Sequence, residues 1–155
     1  MPPVTSDRRD RNPRYHPWRD LRDNWPEIRV IIEPMPGRLL GELRYPVIAL
    51  RAGTSAAQRR CTLAHEIVHL ERGLRDCGPW ANREERYVHD EVARRLVPIG
   101  DLARAIRGTG GTHDLAAVAA ALDVDGDTLR VRLNLVTAGE RALIVEGACD
   151  IWSVA

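Results

Sequence analysis

Two histidines and a glutamate form the group of residues in this sequence that is best suited to chemistry. The run His65-Glu66-Ile67-Val68-His69 has the pattern H-E-x-x-H, inside a segment predicted to be helical. Residues four apart lie on one face of a helix, about 5–6 Å apart at Cβ, so both imidazoles can reach one Zn²⁺ at about 2.0–2.1 Å. Glu66 can take a proton from a zinc-bound water without binding the metal. The pattern predicts a hydrolytic centre with His65 and His69 as ligands and Glu66 as general base.

A catalytic zinc requires a third protein ligand and one open position. The longer pattern that supplies a third histidine after H-E-x-x-H fails, because Arg72 and Arg75 occupy the positions of its glycine and histidine. We therefore expect a carboxylate from the next predicted helix. The acidic residues of that helix are Glu84, Glu85, Asp90 and Glu91.

Helical periodicity separates these carboxylates. Val88, Val92 and Leu96 recur on the face that is centred on Glu85, and this face is expected to be buried. The glutamates at 84 and 91 fall toward solvent. A carboxylate on a buried face is costly unless it is paired or bound to metal, so Glu85 is the favoured third ligand.

Two alternatives remain open for this helix. Asn82-x-x-Glu85 is also a capping box, in which Asn82 begins the helix and Glu85 only caps it. His89 lies one turn after Glu85 and could orient a ligand through a hydrogen bond, or could simply be a half-buried histidine.

Short strands precede the helices along the chain, which argues for an α+β fold. Strands are predicted at 28–32, 39–44 and 47–50, forming a small antiparallel sheet of about three strands packed on a mainly helical domain. Thr54 is expected to cap the helix that carries the two histidines, and Asn82 the next one. Further helices are predicted at 101–106, 114–122, 128–136 and from Ala138.

Composition places few limits on function. The chain has 155 residues and a formal net charge of +1, so no global basic field argues for nucleic acid.

We expect a disordered Arg- and Pro-rich arm at 1–20 and a single domain at 21–155, with a helical C-terminal part at 112–155. No apolar run is long enough to span a membrane. Cys61, Cys77 and Cys149 fit no cysteine-only zinc site and indicate free thiols in a reducing compartment.

The residues around the histidines resemble the ImmA/IrrE family of zinc metallo-endopeptidases. The resemblance is strong from Arg60 to Leu70 and continues through Glu85-x-x-Val88-His89 and the Ala93–Pro98 segment, covering about 25–135 in all. The family occurs in bacteria, phages and mobile elements. His89 departs from it, since an Asn or Asp is usual there, and Glu91 stands where Phe is common.

The resemblance implies a cytoplasmic, gluzincin-like endopeptidase that binds one Zn²⁺. Aligned back from Pro98, the family's glutamate ligand falls on Glu85. Proteins of this family typically cleave a helix-turn-helix transcriptional repressor. A substrate strand could add to an edge strand near residues 39–50. No oxyanion donor can be selected; His113, Tyr87 and several arginines are possibilities.

Two competing functions use the same residues differently. The segment 115–135 resembles a helix-turn-helix and could bind DNA, but residues 112–155 hold three Arg against seven acids, which makes nucleic acid an unfavourable partner. The chain could also keep the zinc site and act by binding, as an anti-repressor. The oligomeric state does not follow from the sequence.

Overall fold

The computed structural model describes residues 14–73, 81–109 and 114–145. Within those ranges no helix is both long enough and apolar enough to cross a membrane. The elements follow one another in this order: α1 (Pro17–Asn24), β1 (Arg29–Glu33), β2 (Gly41–Arg44), β3 (Val47–Arg51), α2 (Ala56–Arg72), α3 (Ala81–Leu96), α4 (Ile99–Gly108), α5 (Leu115–Leu122), α6 (Gly126–Asn134) and α7 (Ala138–Val145).

The predicted α+β class and the three strands are confirmed, but the sheet is mixed and not antiparallel throughout. Its strand order is β1-β3-β2. Strands β2 and β3 pair antiparallel as expected, whereas β1 pairs parallel to β3, with Ile31 opposite Ala49. After β1 the chain crosses beyond the neighbouring strand position before it forms β2. The next strand, β3, then lies between β1 and β2 and pairs with both. Both β1 and β2 are therefore edge strands.

Helix α2 begins one residue later than predicted. Ser55 is its N-cap, in a capping box: the Ser55 hydroxyl accepts from the Gln58 N–H at 3.1 Å, and the Gln58 side chain accepts from the Ser55 N–H at 3.0 Å. The Thr54 hydroxyl donates instead to the Arg51 carbonyl at 2.8 Å. The prediction of Thr54 as cap is wrong because only Ser55 has its side chain in reach of the first free N–H groups.

The later helices follow the predicted order. Asp114 and Asp125 cap α5 and α6 through their side chains, and Ala138 begins α7. Helix α3 begins at Ala81, so Asn82 lies inside it and is not its cap as predicted. The predicted limit of the arm at residue 20 falls inside α1, and residues 1–13 lie outside the described ranges.

Two clusters of buried residues hold α2 from opposite sides. Leu63, Ile67 and Leu70 pack toward the sheet, against Ile48 and Leu50. On its other side α2 enters the larger cluster, which joins α3, α4, α5 and α6. Burial on two sides fixes the rotation of α2, and with it the direction of the histidine face.

Candidate metal centre

His65 and His69 project from the strip of α2 that lies between the two buried sides. Their side chains keep 20% and 23% of their surface exposed, so they are sheltered but open to a ligand. Burial, then the neighbouring His69 and His89, lower the pKa of His65 to about 3. The ring is therefore neutral near pH 7, which is the form that offers a nitrogen lone pair to a metal.

Glu85 reaches the same point from α3. The two Nε2 atoms of His65 and His69 lie 3.0 Å apart. The Glu85 carboxylate oxygens lie 3.3 Å from Nε2 of His65 and 3.1 Å from Nε2 of His69. Ligands bound tetrahedrally to Zn²⁺ at about 2.0–2.1 Å are separated by about 3.3 Å. The three groups thus have close to the spacing that a tetrahedral zinc imposes.

Hydrogen bonds alone do not account for the three short separations among His65, His69 and Glu85. A neutral imidazole carries at most one hydrogen on Nε2, and that hydrogen can point to only one neighbour. Each Nε2 nevertheless has both the other ring and the carboxylate close by. A cation at the centre would accept lone pairs from all three at once, so the donor set fits zinc.

The other two glutamates of α3 are occupied elsewhere. Glu84 pairs with Arg72, whose second nitrogen donates at 2.8 Å, and Glu91 accepts from Arg95 at 2.7 Å. Because Asn82 lies inside α3, the capping-box alternative for Glu85 loses its basis. The expectation that Glu85 faces the core is wrong, however. Its side chain is 47% exposed. Val88, on the same face of α3, is buried, but one turn before it, at Glu85, this face borders a cleft.

His89 provides a second arrangement of ligand atoms. Together with His65 and Glu85 it forms a group whose ligand atoms lie within 4.8 Å of one another. Its ring centroid is 4.9 Å from that of His65, at 51°. The separations around His69 are shorter and closer to those of a zinc tetrahedron. We therefore favour the His69 triad as the metal site, with His89 bordering it.

Glu66 lies next to the triad and is 7% exposed. Burial, and then the negative charge of Glu85, raise its pKa to about 7, while a hydrogen bond from the Leu43 backbone N–H acts in the opposite direction. A buried carboxyl with a pKa near neutrality can both take up and release a proton at pH 7. The backbone of β2 holds this side chain in place.

Gly41 lets β2 come this close to α2. A Cβ at this position would lie 2.3 Å from the Thr62 methyl carbon and 3.2 Å from a carboxylate oxygen of Glu66. Neither Gly41 nor Leu43 was predicted from the sequence as a site residue. The signal for Gly41 was a glycine inside the strand predicted at 39–44, since a glycine within a strand often marks a close backbone approach.

His65 and Glu85 of the triad line a cleft of about 840 Å³ together with Glu66 and His89, and His69 is not among its lining residues. Its walls come from α2, α3, α6 and the segment before β2, and they include Arg38, Asp125, Asp127 and Arg130, none of which was selected. Tyr87 is not among the lining residues, and its ring lies under the Arg72 guanidinium at 4.1 Å. His113 lies outside the described residues.

Helix α6, the second helix of the helix-turn-helix-like segment, forms one wall of the cleft. It packs on α3 and α5, and its residues Thr128, Val131 and Asn134 line the cavity that contains His65. Cys61 lies at the same junction, buried, where its sulfur accepts from the Asp125 N–H at 3.4 Å. Cys77 and Cys149 lie outside the described residues.

A helix with paired histidines, a carboxylate from the next helix and a small sheet define a metallopeptidase-type fold and site. Comparison with known families agrees: residues 26–96 match the model of the IrrE N-terminal-like domain, which belongs to a peptidase family. The resemblance to the ImmA/IrrE family that the sequence predicted is confirmed over residues 26–96. No curated protein and no solved structure shows a significant match to the chain.

Proposed function

We propose that this protein is a zinc-dependent endopeptidase that cleaves a protein substrate, a helix-turn-helix transcriptional repressor, in the cytoplasm. The observation that carries the proposal is the triangle of His65, His69 and Glu85 at 3.0–3.3 Å, beside the buried Glu66. The choice of a repressor as substrate, and of a phage or mobile element as source, rests on the family resemblance.

His65, His69 and Glu85 would hold the zinc, and a fourth position would remain open toward the cleft. When bound there, Zn²⁺ polarises a carbonyl and makes water a better nucleophile. Glu66 takes the proton from the attacking water and then delivers it to the amine that leaves. Its position on the Leu43 N–H keeps the carboxyl at the edge of the cleft during both transfers.

The free edge of β2 would bind the substrate backbone. The Arg51 N–H donates to the Leu40 carbonyl at 2.8 Å, so in this antiparallel pair the backbone groups of even-numbered β2 residues point to β3. Those of Gly41 and Leu43 point outward. The Leu43 N–H already binds the Glu66 carboxylate, so the Gly41 groups and the Leu43 carbonyl are left for a substrate. An extended segment could add to this edge beside the triad.

Cleavage of a candidate repressor by zinc-loaded protein tests the proposal, with fragments read by mass spectrometry. Glu66→Gln should keep the metal and lose activity by about 10²–10⁴-fold, since it cannot accept the proton. Glu71→Gln is the matched control, because this carboxylate lies on the same helix but pairs with Arg95 at 2.7 Å. It should retain activity.

Two results would contradict the proposal. If Glu66→Gln cleaves as fast as the wild type, the activity comes from a contaminant or from another site. If zinc-loaded wild type binds the repressor without cleaving it, the protein acts as an anti-repressor, the alternative that its sequence left open.

A further inference from the structure

Strand β1 has an edge whose backbone groups have no partner among the described residues. The Arg29 N–H donates to the Pro46 carbonyl at 3.0 Å, and the Glu33 carbonyl accepts from the Ala52 N–H at 2.8 Å. In a parallel pair these bonds come from alternate residues, so Arg29, Ile31 and Glu33 bond to β3. The N–H and C=O groups of Val30 and Ile32 therefore point away from the sheet.

This edge carries little of the protection that edge strands usually have. β1 keeps an unbroken five-residue register with β3, and the strand has no proline, lysine or bulge. Ile31 is 38% exposed and Ile32 is 55% exposed. A regular, apolar, unpaired strand is a site for pairing with another strand.

The charges at its two ends are complementary to each other. The strand reads Arg29-Val30-Ile31-Ile32-Glu33, with one charge of each sign at equal distance from Ile31. Two such strands placed antiparallel about Ile31 would set Arg29 of each chain opposite Glu33 of the other. A parallel arrangement would set like charges together, which is unfavourable.

We propose that β1 binds β1 of a second copy of this chain, in antiparallel register about a two-fold axis at Ile31. Val30 of each copy then exchanges both backbone hydrogen bonds with Ile32 of the other. These hydrogen bonds use the outward-pointing N–H and C=O groups of β1 and leave its hydrogen bonds to β3 intact. The interface is the same patch on both chains, as a closed dimer requires.

Side chains on both faces of the sheet support this register. Val30 and Ile32 share the face toward α2, so each exposed Ile32 would pack on a half-buried Val30 of the other copy. On the opposite face the two Ile31 side chains would meet at the axis. Glu33 already pairs with Arg44, so the arriving guanidinium would extend an existing ion pair.

The dimer would leave the cleft free. β3 lies between β1 and β2, and Gly41 at the start of β2 lines the cleft. Joining two β1 strands gives a continuous six-strand order with β2 at both outer edges. Each copy would keep its own triad and its own substrate edge, so this inference does not depend on the proposed function.

Charge reversal tests the register directly, by light scattering with size-exclusion chromatography across a concentration series. The wild type should show the mass of two chains. Arg29→Glu alone and Glu33→Arg alone each place like charges across the axis, and each should weaken self-association by about tenfold or more. An equimolar mixture of the two variants restores both pairs and should form a heterodimer, detected by native mass spectrometry with one chain isotopically labelled.

Two further variants keep the test independent of folding. Ile32→Pro removes an outward N–H and no bond to β3, so it should give single chains with an unchanged circular dichroism spectrum. Arg19→Glu makes the same charge change on α1 and should leave the dimer intact. A wild type that stays monomeric at every concentration overturns the proposal. So does a dimer that survives Ile32→Pro, or a variant mixture without heterodimers.

Discussion

The imidazoles of His65 and His69 lie where one turn of a helix places them, but the Glu85 carboxylate reaches them across a helix–helix contact. The i, i+4 spacing could therefore be predicted from the sequence alone. Glu85 was selected because its face of α3 was expected to be buried, and that reason was wrong, since the side chain is 47% exposed. Its position beside the rings depends on how α3 packs on α2, which periodicity does not specify.

The thiol of Cys61, which lies close to the site, should make the free energy of unfolding depend on pH. Burial, then the charge of Asp125, raise the pKa of its thiol from 9.0 to about 11. Above pH 9 the unfolded chain loses this proton more readily than the folded one, so the free energy of unfolding should fall as pH rises from about 9 to about 11. The contribution of Cys61 should be of the order of 2 kcal/mol.

Denaturant unfolding of wild type and Cys61→Ser at several pH values measures that contribution. A serine hydroxyl can accept from the Asp125 N–H but does not ionise in this range. The difference in stability between the two proteins should therefore change with pH only above about 9. A difference that stays constant from pH 7 to pH 11 would show that the thiol titrates normally.

At the scale of elements, the sheet shows how local pattern and long-range pairing differ. The three strands could be predicted from their β-branched and apolar residues, and the antiparallel pair β2–β3 from the short turn that joins them. The parallel pairing of β1 with β3 could not. It depends on which edge of the hairpin β1 meets, and no residue in β1 encodes that choice by itself.

The contact between β2 and α2 should be sensitive to a single methyl group. Gly41→Ala would place a Cβ 2.3 Å from the Thr62 methyl carbon. We expect the free energy of unfolding to fall by about 1–3 kcal/mol, as in other overpacked sites, because strand and helix must move apart. Thermal or denaturant unfolding measures the loss.

A second substitution identifies the cause of that loss. Thr62→Ser removes the clashing methyl group, so Gly41→Ala combined with Thr62→Ser should recover most of the lost stability. Gly100→Ala is the matched control, since a Cβ there meets nothing within 4 Å. If Gly41→Ala is as harmless as Gly100→Ala, the close approach of β2 to α2 is absent in solution.

At the scale of the whole molecule, Arg60 connects α2 to the segment before α1 and to the end of α5. This guanidinium is buried and donates to the carbonyls of Leu122 and Asp123 at 3.1 and 2.8 Å, and to that of Tyr15 at 3.3 Å. Asp123 is the left-handed residue that ends α5. One side chain thus ties the histidine helix to the turn between α5 and α6.

Removing this connection should destabilise the domain as a unit. Arg60→Met keeps much of the side-chain volume but leaves buried carbonyls without a donor, so the free energy of unfolding should fall by about 2–4 kcal/mol. Arg59→Met is the control, because the structure gives the Arg59 guanidinium no hydrogen bond to a described residue. Equal stability of both variants in denaturant unfolding would show that α5 and α6 pack without Arg60.

The C-terminal helices could be predicted as helices but not as a wall of the cleft. Helices were predicted at 114–122 and 128–136, but the second begins two residues earlier, at Gly126, because Asp125 caps it. That α6 lies across α3, with Asp125 and Arg130 lining the cleft, depends on contacts between residues far apart in sequence. The helix-turn-helix outline is therefore compatible with a structural role beside the candidate metal centre.

Zinc content of the purified protein tests the central claim most directly, in wild type and in His69→Ala, Glu85→Ala and His89→Ala. We expect about one zinc per wild-type chain, a loss of affinity above about a hundredfold when His69 or Glu85 is removed, and a smaller loss for His89. Circular dichroism shows that each variant is folded. A wild type that binds no zinc when zinc is supplied would contradict the account. A His69→Ala variant that keeps zinc, together with a His89→Ala variant that loses it, would also contradict the account.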